Sequence, residues 1–250
     1  TYYIYGTTDR TGSKTFDCYE TEDFNTFKIH MNIEETPSDY WGTKTMFAPE
    51  VYYYNNLYWL YYSDNSKETG LRYINVMTSE SPSGPFKPYK GKNAHNEDVD
   101  ASKEPLFRHN DSLALSALDQ TLLFDDDGSI YMYYSIYDTG IMQYIIGVEM
   151  LDPVTADWDT YKILIRPGEL TPKTTNSNML IWEAYSGFKV AEGPYMLKSP
   201  NGLYYLTYSV NHYDDRYYTV CYAYSDEPLG DYTKPYDKDG NWTNLLFGYA

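Results

Sequence analysis

Three acidic residues recur at one place in a repeating pattern. Glu50, Asp119 and Glu192 stand 7, 10 and 11 residues ahead of Tyr-rich runs that begin at residues 57, 129 and 203. Each sits at the head of an apolar stretch: Phe47-Ala48-Pro49-Glu50-Val51, Leu118-Asp119-Gln120-Thr121-Leu122 and Glu192-Gly193-Pro194-Tyr195-Met196. A carboxylate leading into a buried strand is costly unless it has partners or a task. The bland alternatives are local: Glu192 bonded to loop amides, Asp119 capping a turn, Glu50 bonding a neighbouring strand. Recurrence favours a shared task, either moving protons or accepting hydrogen bonds from hydroxyl groups.

The elements that must carry these acids are strands. Four aromatic runs align, starting at residues 1, 57, 129 and 203, with spacings of 56, 72 and 74. After each comes an alternating strand and then a breaker, such as Ser81-Pro82-Ser83-Gly84-Pro85 or Asp226-Glu227-Pro228-Leu229-Gly230. Asn55-Asn56, Asp126-Asp127-Gly128 and Asn201-Gly202 tolerate positive φ and read as hairpin turns. Asp125-Asp126-Asp127-Gly128 also has an acidic look, but it lacks the twelve-residue loop and distal Glu of a calcium hand, so it reads as a turn. Helical periodicity is absent. The period is long for a forty-residue propeller blade but fits four-stranded blades with long loops. The expected fold is all-β, a β-propeller of four-stranded antiparallel blades. Innermost strands line such a channel and their leading ends share one mouth, where the acids would converge. Residues 91–116 and 167–179 read as loops long enough to rim it.

The bulk composition narrows the partners. The 250 residues carry a formal charge of −17 and no basic stripe, which argues against nucleic acid. A neutral polar ligand such as a sugar is compatible with that charge. Of the 18% aromatic residues, 32 are Tyr, which offers a flat face and a hydroxyl together. Cys18 and Cys221 form no metal-binding spacing and are expected as free buried thiols, with a single disulfide between them as the alternative. No apolar run is long enough for a membrane span, and the chain opens on a strand-like run with no charged n-region, so a signal sequence is expected to have been removed or never to have existed. Phe47, Trp41, Trp182 and Tyr213 are the candidate sugar platforms, with Asn211 able to reach the mouth.

These pieces together resemble glycoside hydrolase family 43. The resemblance rests on Tyr2-Tyr3-Ile4-Tyr5-Gly6-Thr7, Phe47-Ala48-Pro49-Glu50-Val51, Leu118-Asp119-Gln120, Ala191-Glu192-Gly193-Pro194 and Ser209-Val210-Asn211-His212-Tyr213, in that order along nearly the whole chain. It implies a five-bladed β-propeller, incomplete in this chain, with residues 1–250 forming one catalytic domain. The first inner strand would precede Thr1, and the last blade would follow Ala250. It further implies that Glu192 is the general acid and Asp119 the carboxylate that orients it, while the general base lies ahead of Thr1. Glu50, Phe47, Trp41, Trp182, Asn211 and Tyr213 would contact substrate. The implied reaction is inverting hydrolysis of arabinose- or xylose-containing plant polysaccharide or oligosaccharide, by a secreted or periplasmic enzyme, with a cytoplasmic one compatible. No cofactor is required, although a structural calcium ion at the propeller centre fits the pattern. Two departures stand out: Phe47 replaces a more usual Trp, and Gln120 stands where Pro commonly follows the Asp. Rival readings are a non-catalytic carbohydrate-binding propeller, a protein-interaction propeller, and a furanosidase, fructan-active enzyme or phosphorylase on the same scaffold.

Overall fold

The computed structural model describes residues 1–10, 13–108, 115–138, 142–169, 181–184 and 189–248. The chain divides into two compact units, Thr1–Gln120 and Thr121–Ala250. Among the described residues the regular structure is β-strand apart from one 3-10 turn at Ile181–Ala184. Among the described residues no helix is long and apolar enough to cross a membrane.

In the first unit, β1 (Tyr2–Arg10), β2 (Ser13–Thr21) and β3 (Lys28–His30) form a three-stranded antiparallel meander. A four-stranded meander follows, of β4 (Phe47–Tyr54), β5 (Leu57–Asn65), β6 (Arg72–Ser79) and β7 (Lys87–Pro88). Asn55 and Asn56 both take positive φ, 51° and 62°, closing the β4–β5 hairpin as their side chains allow. Apolar faces of the two meanders meet around Phe16, Cys18, Met46, Leu60, Tyr62 and Met77. The stretch expected as loop from residue 91 instead contains a small hairpin, β8 (Lys90–Lys92) with β9 (Asp98–Asp100). Its strands carry almost no apolar residues, and Lys90–Asp100 and Lys92–Asp98 pairs, 2.9 and 2.8 Å apart, lie across them.

The second unit continues the pattern twice. β10 (Ser116–Phe124), which begins in the first unit, runs beside β11 (Ile130–Asp138), β12 (Met142–Asp152) and β13 (Thr155–Ile165). Then come β14 (Lys189–Lys198), β15 (Tyr204–Val210), β16 (Thr219–Ser225) and β17 (Leu245–Phe247). Strict alternation puts Tyr204, Leu206, Tyr208 and Val210 of β15 into the core and the residues between them outward. The Asp125–Gly128 stretch is the expected hairpin turn, and Lys198 and Tyr204 bind the Asp125 carboxylate. The expected loop 167–179 lies mostly outside the described residues.

A buried ion pair fastens the 3-10 turn to the last meander. Glu183 and Lys234 are both fully buried and 2.6 Å apart. The Glu183 carboxylate also accepts from the Gly168 N–H (2.8 Å), the Tyr208 hydroxyl (2.9 Å) and the Asn244 amide (2.8 Å). Lys234 uses its other protons on the Arg166 and Glu169 carbonyls at 2.8 and 2.9 Å. A pair sunk this deep persists because its remaining lone pairs and protons are also satisfied. Cys18 and Cys221 are free and buried, and burial pushes the Cys18 thiol up to about 11 and that of Cys221 higher still.

Candidate active site

The first strand of each four-stranded meander carries a left-handed residue, and in β4 and β14 the ladder breaks around it. Ala48, Asp119 and Gly193 all take left-handed backbone, with φ of 48°, 55° and 56°, and are followed by Pro49, Gln120 and Pro194. In β4 the register slips between Phe47, opposite Ser63, and Glu50, opposite Tyr61. In β14 it slips between Glu192, opposite Ser209, and Tyr195, opposite Thr207. Such bulges re-aim side chains, and they recur beside functional sites. At two of the three, a non-glycine residue is held in a conformation that costs energy.

This register corrects the sequence equivalence of the three acids. Glu192 matches Phe47, one residue before the left-handed position, while Asp119 occupies that position itself. Glu50 matches Tyr195, two residues beyond it. The Glu50 carboxylate accepts a bond from the Tyr52 hydroxyl.

In the second unit, Glu192 is held from two sides. Parallel pairing of Gln143 with Val190 brings the start of β12 against β14. Gln143, only 6% exposed, then donates from Nε2 to Glu192 Oε2 at 3.0 Å. Tyr218, just ahead of β16, donates its hydroxyl to Glu192 Oε1 at 2.8 Å. The carboxyl itself is half-buried. Neither partner was singled out in the sequence, because Gln143 and Tyr218 read there as ordinary members of an alternating strand and its approach.

The proposed sugar contacts sort differently. The Phe47 ring is half-buried, with the Arg72 guanidinium 4.5 Å from its centroid. Trp41 donates its indole N–H to the Ala101 carbonyl at 3.1 Å and lies 6.3 Å from the Tyr73 ring, so it ties loop to strand. Asn211 is fully buried at φ 70°, and its amide donates to the carbonyls of Trp182 and Tyr217 at 2.6 and 2.9 Å. Trp182 packs against the core of the second unit. Tyr213 is 73% exposed and stacks on His212 at 4.6 Å. Phe47, Trp41, Glu50 and Asp119 thus belong to the first unit, and Glu192, Trp182, Asn211 and Tyr213 to the second.

In the first unit Gln120, standing where the resemblance expects proline, makes hydrogen bonds that proline could not. Its carboxamide is 1% exposed, donating to the Ala48 carbonyl at 2.8 Å and accepting from the Ser63 hydroxyl at 3.2 Å. The Asp119 N–H donates to the same Ser63 oxygen at 3.3 Å. Among the described residues no group of three or more His, Cys, Asp or Glu side chains is placed to hold a metal ion.

A model of glycosyl hydrolases family 43 matches residues 1–240. The chain is 28% identical over 253 residues to an extracellular endo-α-(1→5)-L-arabinanase of Thermotoga petrophila, covering 96% of this chain and 49% of that one. It is similar in structure to a thermostable family-43 glycoside hydrolase, with a TM-score of 0.68 and 27% identity, covering 88% of this chain and 64% of that one. An endo-1,4-β-xylanase from Bacteroides thetaiotaomicron superposes with a TM-score of 0.67 at 29% identity, covering 96% and 78%. The chain spans about half the length of the relatives it matches in sequence, 46–59%. The fold is accordingly all-β of the β-propeller kind, and the four meanders, three of them four-stranded, are its blades.

Proposed function

The chain belongs to glycosyl hydrolases family 43, and from that premise we propose that residues 1–250 are part of one propeller catalytic domain that hydrolyses glycosides with inversion. The substrate class is arabinose- or xylose-containing plant polysaccharide or its oligosaccharides. Glu192 is the general acid, and Asp119 is a second carboxylate of the same reaction. The observation that carries this reading is the pairing of Glu192 with Gln143 and Tyr218 at a glycine-proline bulge.

Inverting hydrolysis needs one carboxylic acid to protonate the leaving oxygen while a second carboxylate activates water on the opposite face of the sugar. A proton on Glu192 belongs on Oε1, because the hydroxyl of Tyr218 can rotate to accept while the Nε2 of Gln143 can only donate. As the proton passes to the glycosidic oxygen, the Tyr218 hydroxyl turns back and donates. The charge left on Glu192 then receives two hydrogen bonds, the stronger charge-assisted kind. None of the residues assigned a role in this proposal is the base that activates water. Proton transfer of this kind needs no cofactor. Phe47, Trp41, Glu50, Trp182 and Tyr213 remain the proposed substrate contacts, with Tyr213 the most accessible ring; Asn211, fully buried with its amide bonded to two carbonyls, acts instead by holding the Trp182 and Tyr217 backbone. The relatives named as extracellular support a secreted or periplasmic location.

The test is hydrolysis of aryl arabinofuranosides and xylosides by the protein and by Glu192→Gln. Loss confined to substrates with poor leaving groups supports the acid role. Sugar binding without turnover by the unaltered protein favours a carbohydrate-binding propeller instead.

A further inference from the structure

The chain itself shows two ways of following a left-handed residue on an inner strand. Ala48 and Gly193 are followed by proline, whose ring fixes its own backbone and restricts the residue before it. Asp119, which carries one of the proposed catalytic carboxylates, is followed by Gln120. A carboxamide restricts nothing covalently, so any restraint must come from its hydrogen bonds.

Those bonds form a continuous chain across the first unit. The Asp119 N–H donates to Ser63 Oγ, the Ser63 hydroxyl donates to Gln120 Oε1, and Gln120 Nε2 donates to the Ala48 carbonyl. The Ala48 N–H in turn donates to the Thr7 hydroxyl at 3.1 Å. Both left-handed residues, Ala48 and Asp119, are therefore fastened through their own peptide groups. Ser63 and Gln120 are buried, so water cannot readily replace these bonds.

The next blade supplies an internal comparison. Ser63, Ser135 and Ser209 end the three aligned aromatic runs. Ser135 lies on β11, which packs beside β14, where the residue after the left-handed glycine is Pro194. Proline has no side-chain acceptor, and the buried Ser135 hydroxyl has no hydrogen-bond partner among the described residues. An orphaned buried hydroxyl is unfavourable. The same serine position is thus satisfied where Gln120 stands and orphaned where proline stands.

We propose that Gln120, acting through Ser63 and the Ala48 carbonyl, is the positioning residue that holds the Asp119 carboxylate in its working direction. The proposal rests on Asp119 being a catalytic carboxylate. Gln120→Met keeps the length and volume of the side chain and removes both bonds. Ser63→Ala removes the shared hydroxyl and leaves the Gln120 bond to Ala48.

The experiment measures kcat and KM against pH on an aryl glycoside for the protein, Gln120→Met, Ser63→Ala and Asp119→Ala, with hydrogen exchange at the Asp119 amide. The expected result is a loss of kcat of about tenfold in each positioning variant, with KM little changed and a shifted pH profile. Asp119 amide exchange should rise at least tenfold in Ser63→Ala. If Asp119→Ala is inactive while both variants keep the kcat, the pH profile and the slow exchange of the parent protein, the positioning role is wrong, even if they melt earlier. If Asp119→Ala keeps its activity, the catalytic reading of Asp119 fails and the positioning role goes with it.

Discussion

Replacing Lys234 by Met should destabilise the protein far more than a surface substitution would. The Lys234 ammonium is fully buried and makes three bonds, to Glu183 at 2.6 Å and to the Arg166 and Glu169 carbonyls at 2.8 and 2.9 Å. Methionine fills most of the volume of the lysine stem, so the cavity contribution is small. What remains is a buried Glu183 carboxylate without its counter-ion and two carbonyls without a donor. Removing one partner of a buried pair costs about 3–5 kcal/mol. At about 2–4 °C per kcal/mol for a chain of this size, the midpoint should fall by about 6–20 °C. The assay is thermal and urea unfolding of the parent, Lys234→Met and the double variant Glu183→Gln/Lys234→Met. Removing the stranded charge should make the double variant more stable than Lys234→Met by at least ~1 kcal/mol, a coupling expected of contacting residues. A midpoint for Lys234→Met within ~2 °C of the parent would refute the reasoning, because a buried charge would then have lost its partner at no cost.

Two further outcomes follow from burial. Asp64 is buried and accepts from the N–H groups of Lys44, Thr45 and Asn65; desolvation nevertheless lifts its carboxyl above the usual aspartate range, against those donors. The folded protein therefore keeps this proton at pH values where the unfolded chain, near 3.9 for an ordinary aspartate, has already lost it. Its contribution to stability should fall as pH rises from about 4 to the raised value and then level off. Comparing urea midpoints of the protein and Asp64→Asn across that range checks this, and a contribution that grows with pH would contradict it. Cys18 and Cys221, buried with thiols pushed upward, should resist a thiol reagent at pH 8 in the folded protein and react after unfolding; labelling of either in the native state would be the contrary result.

How much of this was legible in the sequence depends on the kind of signal. The blades were readable because the Tyr-rich runs at 57, 129 and 203 repeat, and Asn55-Asn56 and Asn201-Gly202 mark their turns. Glu192 stood out through its Gly-Pro context. The matching of Glu50 with the other acids was misread because each was taken as the head of its strand; its shorter spacing, 7 residues against 10 and 11, already set it apart, and the register puts Glu50 beyond the bulge and Glu192 before it. The β8–β9 hairpin was missed because its strands are charged and show no apolar alternation. Gln143, Tyr218 and Ser63 act through partners 49, 26 and 57 residues away, and no local pattern marks such pairs. The same is true of Glu183 and Lys234, which sit 51 residues apart. Gln120 was visible as an exception to a motif, but only the fold reveals what its side chain reaches.

The most direct measurement is the dependence of kcat/KM on the pKa of the leaving phenol, for a series of aryl arabinofuranosides or xylosides, in the parent protein and in Glu192→Gln. If Glu192 delivers the proton, the variant should lose about 10²–10⁴-fold on the least acidic phenols, the range general acid catalysis supplies, while the most acidic phenols, which depart without help, stay near the parent rate. A loss of equal size for every phenol would contradict an acid role for Glu192 and, with it, the assignment of this chain's chemistry.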